Sequence, residues 1–252
     1  MFSLEIECEP EERDLLIADL WEQGSAGITE VDERHLRAFF DDSADREALL
    51  ARFAGAAAQT EEPRDWVQSA RDLLQPVTVG ARFFLVPEWR DDPAPAGRFR
   101  ITVNPGMAFG TGVHETTQLC LEALEDFLKS GMTVLDVGAG SGILGRAARL
   151  LGAAHVYSCD IDPDAVRIAG EGFVGSVDAV RSGIADVTLA NISPEAIIRL
   201  SPDLLRALRP GGILLASGFE AHEVDAVRAA LAGVREIRRK GNWALAIASS
   251  SS

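Results

Sequence analysis

Gly138, Gly140 and Gly142 stand two apart, after the apolar run Thr133–Val137 and before Ile143-Leu144. A strand feeding a glycine-rich turn and then a helix is built to approach a ligand. Glycine allows the tight turn and the close backbone contact, and the helix start supplies a positive pole. The next apolar run, His155–Asp160, ends in a carboxylate 22 residues after Gly138. An acid at the end of a second strand can accept hydrogen bonds from ribose hydroxyls, or it can merely end the strand. Asp162-Pro163-Asp164 has the composition of a helix start, with Asp162 as cap, so Asp160 rather than Asp162 is the candidate ligand residue. A third polar strand end is Asn191, after Val187–Ala190. Its side chain either faces the ligand or caps the helix that opens near Pro194.

The glycine spacing discriminates between ligands. Dinucleotide folds use GxGxxG, whose third glycine would fall at Ile143. The GxGxG here is the pattern of S-adenosylmethionine-dependent methyltransferases, in which the amino-acid end and ribose of a cofactor without pyrophosphate occupy the turn. Upstream lies Asn104-Pro-Gly-Met-Ala-Phe109-Gly-Thr-Gly-Val-His114-Glu-Thr-Thr117, with three glycines around one aromatic. Loops of this composition often close over a ligand. His114 belongs either to the site or to the bracing of that loop. His35, His155 and His222 read as structural, His155 as a core residue at the start of a buried strand. No His/Cys/Asp cluster has metal spacing, so no metal is expected.

The elements that must position these residues follow from periodicity. Strand-like Phe2–Cys8, helical Glu11–Gln23, a hairpin of Ala26–Val31 with His35–Asp41, and a helix Asp45–Ala57 capped by Ser43 or Asp45 make a small α+β unit, ferredoxin-like in order. Polar Gln59–Arg64 and helical Trp66–Leu74 read as a linker. Strands Val77–Val86 and Phe99–Val103 lead in. A helix Glu115–Leu128 then precedes strands at Thr133–Val137, His155–Asp160, Phe173–Val177, Asp186–Asn191 and Ile213–Ser217, separated by helices. That alternation predicts a parallel sheet covered on both faces. Val234–Arg239 and Trp243–Ala248 form a closing hairpin at Gly241-Asn242. The divisions are residues 1–62, a linker at 63–75, and 76–252.

Composition excludes several classes. With 252 residues, 47% hydrophobic and 25% charged, the chain is neither disordered nor collagen-like, and long enough for a core without cross-links. It has no run long enough to span a bilayer and no basic-then-apolar leader. Cys8, Cys120 and Cys159 are far apart and without CxxC spacing, so they read as reduced thiols in a cytoplasmic protein. The net charge of -15 is concentrated in residues 1–65, which carry -12. Such a segment repels nucleic-acid phosphates and attracts a basic partner protein, or simply keeps the protein soluble. Neither nucleic acid nor membrane is an expected partner, and a monomer is expected.

The block NPGMAFGTGVHETTQLCLE, followed by TVLDVGAGSGIL, SCDIDPDAV, LANIS and LASGF, resembles the methyltransferases of ribosomal protein L11. The upstream run Trp66…Pro76…Gly80…Pro87-Glu-Trp89 is similar to that family's lead-in, so the resemblance covers residues 63–220. It implies a Rossmann-like class I methyltransferase fold, a mostly parallel seven-stranded sheet, behind a small ferredoxin-like substrate-recognition domain. It implies S-adenosyl-L-methionine as cofactor and methylation of lysines or other amino groups on a basic ribosomal protein. The family's cofactor contacts correspond to Thr117, Gly138, Asp160 and Asn191, with Gly140 in the same turn; Asn191, Phe109 and His114 are the catalytic candidates.

A neutral lysine must attack the methyl group in line, and an apolar pocket favours the neutral amine. Phe109, Ile192 and Phe219 are its candidate walls, and Asn191 is the orienting acceptor. The chain departs from the family in three places. Ala139 replaces a cysteine. Gly170-Glu171-Gly172 cuts short a longer helix, so that Ser176 or Asp178 must stand in for an acid near the adenine. Ser217-Gly218-Phe219-Glu220 replaces SGIL and alters the far wall. The alternatives are a methyltransferase of another protein or small amine, or a cofactor-binding docking module without turnover.

Overall fold

The computed structural model describes residues 1–9, 13–32, 34–53, 55–60, 75–104, 114–170 and 172–250. The chain divides into two compact units, Met1–Leu74 and Gln75–Ser252.

The first unit contains β1 (Phe2–Glu7), α1 (Arg13–Glu22), β2 (Gly27–Glu30), β3 (His35–Phe40), α2 (Arg46–Arg52) and β4 (Ala57–Thr60). They form an antiparallel sheet in the order β2-β3-β1-β4, which is the ferredoxin-like topology. Alternate residues of β1, Phe2, Leu4 and Ile6, enter a core with Leu20, Ala38, Phe40 and Leu49. Asp45, not Ser43, caps α2, accepting hydrogen bonds from the Glu47 and Ala48 N–H groups. The helix expected to reach Ala57 stops at Phe53, and Ala57 instead opens β4 beside β1. Sequence hides this strand because Ala57-Ala-Gln-Thr60 has one β-branched residue and no aromatic. The expected helix at 66–74 and the boundary at 62/63 lie outside the described residues.

The second unit opens with β5 (Val77–Val79), β6 (Phe83–Pro87) and β7 (Phe99–Val103), a separate three-stranded sheet. The single strand expected over Val77–Val86 is broken at Gly80, where φ is +54° and the chain reverses. The Glu125 carboxylate fixes this turn, accepting hydrogen bonds from the N–H groups of Ala81 and Arg82, both at 2.8 Å.

Then follow α3 (Glu115–Phe127), β8 (Thr133–Val137), α4 (Ile143–Leu150), β9 (His155–Asp160), α5 (Pro163–Ala169) and β10 (Phe173–Val174). After them come β11 (Ala185–Asn191), α6 (Pro194–Arg206), β12 (Leu208–Glu220), α7 (Val224–Ala230), β13 (Val234–Lys240) and β14 (Trp243–Ser249). The sheet order is β10-β9-β8-β11-β12-β14-β13, with β14 alone running antiparallel to the other six strands. This is the mostly parallel seven-stranded sheet expected of a Rossmann-like class I methyltransferase.

Strand alternation splits the apolar residues between two cores. Val134, Val187, Leu189 and Leu215 face α3 and α4, while Leu135, Ala190, Leu214 and Ala216 face α6 and α7. Among the described residues no helix is long and apolar enough to cross a membrane.

Two expectations fail around β9. His155 is exposed, stacked on Tyr157 with ring centroids 6.2 Å apart, because its edge of the sheet is not covered. β10 is two residues long rather than five, and Val177–Ala179 form a turn of 3-10 helix. Gly170, at φ +81°, ends α5 as its sequence suggests.

Candidate active site

The carboxyl ends of β8, β9 and β11 meet where the strand order reverses, since β8 connects outward to β9 while β11 lies on its other side. In open α/β sheets this crevice is where ligands bind. Each strand delivers one of the predicted groups to a cavity of about 480 Å³.

From β8 comes the glycine turn. The Gly138 N–H donates to the Cys159 carbonyl at 2.8 Å, and Gly138, Gly140 and Gly142 all have positive φ. A Cβ at Gly138 would lie 2.3 Å from Cγ2 of Ile192, so this glycine is needed for space as well as for conformation. From β9 comes Asp160. One carboxylate oxygen accepts the Gly140 N–H at 2.9 Å and the other the Asp162 N–H at 3.0 Å. Each oxygen keeps a second lone pair for a hydroxyl in the cavity. Asp162 caps α5 through the Asp164 N–H, as its position before Pro163 suggests.

From β11 comes Asn191. The cap of α6 is Ser193, whose hydroxyl accepts the Ala196 N–H at 3.3 Å, so Asn191 is not the helix cap. Its Nδ2 donates to Oγ1 of Thr117, a fully buried residue of α3, at 3.4 Å. Its Oδ1 is buried without a hydrogen-bond partner among the described residues. A buried orphan acceptor carries a desolvation cost that a donor arriving in the cavity would relieve.

His114 does cap a helix. Its Nδ1 accepts the Thr116 N–H at 3.3 Å, and its ring meets Trp243 edge-on with centroids 4.5 Å apart. The side chain thus braces the start of α3 while lining the cavity.

Of the predicted walls, Ile192 lines the cavity. Phe219 does not: it is fully buried in the core beside α6 and α7. The register of β12 against β14 shifts between Ser217 and Phe219, and Gly218, at φ +103°, faces the cavity instead. Phe109 lies outside the described residues. Of the two expected stand-ins, Ser176 lines the cavity and Asp178 does not.

Three further residues escaped sequence reasoning. Ile161, 81% exposed directly after Asp160, offers an apolar wall for a flat ring, and Trp243 closes the side toward His114. Asp136 lies beneath the turn, 1% exposed, where its Oδ2 accepts the Gly145 N–H at 3.1 Å. Burial pushes its carboxyl up to about 7. The available signal was a single acid inside the otherwise apolar Thr133–Val137. Burial likewise pushes the Cys159 thiol up to about 12, which keeps it an inert core group. Among the described residues no group of three His, Cys, Asp or Glu could hold a metal ion.

The sequence profile of the ribosomal protein L11 methyltransferases matches residues 18–249. A ribosomal protein L11 methyltransferase of Pelobacter propionicus is 42% identical over 205 residues, covering 73% of this chain and 66% of that protein. Its counterpart in Caldanaerobacter subterraneus is 43% identical, over 66% of this chain and 58% of that protein. The chain thus spans less than two thirds of the length of these relatives. The crystal structure of a ribosomal protein L11 methylase from Lactobacillus delbrueckii superposes with a TM-score of 0.66 at 30% identity, over 71% of this chain and all of the other. The chain belongs to the ribosomal protein L11 methyltransferase family.

Proposed function

We propose that this protein transfers the methyl group of S-adenosyl-L-methionine to lysine or other amino groups of ribosomal protein L11. The observation that carries this reading is the buried, unpartnered Oδ1 of Asn191 at the strand-order reversal, beside a glycine turn and the Asp160 carboxylate.

The residues present fit the cofactor. Asp160 would hold its ribose, the Gly138–Gly142 turn its amino-acid end, and Ile161 and Ser176 would flank its base. When bound, S-adenosylmethionine supplies an electrophilic methyl group on a sulfonium. The protein's work is then positional. Thr117 holds the Asn191 amide through Nδ2, which leaves Oδ1 to accept an N–H from the incoming amine and to turn its lone pair toward the donor. The same oxygen stabilises positive charge developing on nitrogen. Asparagine carries no charge of its own, so it does not trap the amine as ammonium.

Asp160→Ala is expected to weaken S-adenosylmethionine binding by about 1.5–3 kcal/mol, the scale of a charge-assisted hydrogen bond. Calorimetric titration of both proteins measures it. Unchanged affinity would remove Asp160 from the site.

The acidic amino-terminal unit is proposed to dock the basic substrate, and the enzyme to act as a cytoplasmic monomer without contacting nucleic acid. Deleting residues 1–62 should then spare cofactor affinity and abolish most protein methylation. With the full chain, rising salt should raise the apparent KM by screening the attraction. A truncated protein as active as the full chain would reduce the charge to a solubility feature. The function as a whole is tested by incubating the protein with labelled cofactor and purified ribosomal protein L11, then locating methyl groups by mass spectrometry. No label on that protein, with cofactor bound, would redirect the assignment to another amine.

A further inference from the structure

The two edges of the seven-stranded sheet are built differently. β13, at one edge, carries Arg235, Glu236, Arg238, Arg239 and Lys240, the charged residues that keep an edge strand from pairing with other chains. At the opposite edge β10 pairs with β9 only at Cys159 and Asp160. His155–Ser158 of β9 pair with β8 on one side and, among the described residues, have no strand on the other. This stretch and β10 contain no Lys, Arg, Asp or Glu, and Tyr157, Phe173 and Val174 are exposed. Among the described residues no helix covers them on the face of Leu135, because β10 is joined to β11 through the single 3-10 turn Val177–Ala179.

A cavity of about 760 Å³, larger than the one at the glycine turn, lies along this edge. It follows all four residues His155–Ser158 and ends at Gly172 and Phe173, in line with β10. Four strand residues span about 13 Å. In a chain of net charge -15, the cavity is lined by Arg149, Arg181 and His155 and, among the described residues, by no carboxylate. Arg149 comes from α4, which packs on one face of the sheet. Arg181 follows Val180, which packs on the other. Successive side chains of an extended segment point to opposite faces, so alternate acids would meet the Arg181 guanidinium.

We propose that this edge is a docking slot for an extended acidic peptide segment of a partner protein, which adds a strand beside β9. Backbone hydrogen bonds to β9 would supply affinity, and Arg181 the preference for acids. The slot stands apart from the glycine turn, so the proposal does not depend on the methyltransferase assignment.

The test uses the full chain and two blocked heptapeptides, one alternating glutamate with valine and one alternating lysine with valine. Backbone hydrogen exchange over 155–158 and peptide affinity are followed together. The acidic peptide is expected to bind and to slow exchange in that stretch, and the basic one to do neither. Arg181 is exposed and forms no ion pair among the described residues, so Arg181→Glu should leave the thermal melt unchanged. It should weaken the acidic peptide at least about ten-fold, while Arg181→Lys retains binding. The proposal fails if neither peptide binds, if both bind alike, if protection appears elsewhere, or if Arg181→Glu binds as the wild type does.

Discussion

Asn191→Ala is expected to lower the turnover number roughly ten- to a thousand-fold, the span given by losing about 1.4–4 kcal/mol of transition-state stabilisation. Among the described residues, the substitution removes the one acceptor in the cavity wall that is buried and unpartnered. It also removes the donor to Thr117, a single contact at 3.4 Å whose loss costs little. Helix stability should be nearly untouched, because Ser193 and Pro194 carry the start of α6. Cofactor affinity should fall less than in Asp160→Ala. Single-turnover rates measured beside a thermal melt separate these effects. A lower melting temperature with normal chemistry in the folded fraction would refute the catalytic role. Asn191→Asp sharpens the test: a carboxylate also accepts a hydrogen bond, but it holds the amine as ammonium, so it should not restore the rate.

Much of this site was legible in the sequence because its parts are local. A glycine turn between an apolar strand and an apolar helix start is written in consecutive residues, and so is an acid or amide at a strand's last position. Thr133–Val137 and His155–Asp160 appear in the structure with those very bounds, since both are short apolar runs closed by turn residues. The failures concern properties set by neighbours distant in sequence. Phe219 was expected in the wall, but the register shift that buries it depends on the pairing of β12 with β14. His155 was expected in the core, yet its exposure follows from the shortness of β10. β4 was lost because alanine-rich strands look helical until β1 offers them an edge. Whether Asn191 caps α6 could not be decided without seeing that Ser193 already does.

Asp136 yields the other large expected effect, a fall in folding stability as pH rises from 5 to 8. An unfolded aspartate titrates near 3.9, whereas burial holds the folded Asp136 carboxyl near 7. Between those values the native state binds the extra proton, so it is favoured at low pH and loses that advantage as pH passes through 7. Each unit of pH inside the window is worth at most about 1.4 kcal/mol, which gives about 2–3 kcal/mol between pH 5 and 8. Asp136→Asn keeps an oxygen for the Gly145 N–H but does not titrate. Denaturant unfolding of both proteins at pH 5, 6, 7 and 8 should therefore show the wild type falling relative to the variant. The surrounding carboxylates and histidines are common to both and cancel in the comparison. Parallel pH profiles would mean that Asp136 is ionised throughout, held so by the Gly145 N–H and by the positive charge of Arg149. In that case the strand beneath the glycine turn carries a permanent buried charge. Asp136→Asn should then be no more stable than the wild type at any of these pH values, because a carboxyl that stays ionised down to pH 5 is one whose charge the fold does not penalise.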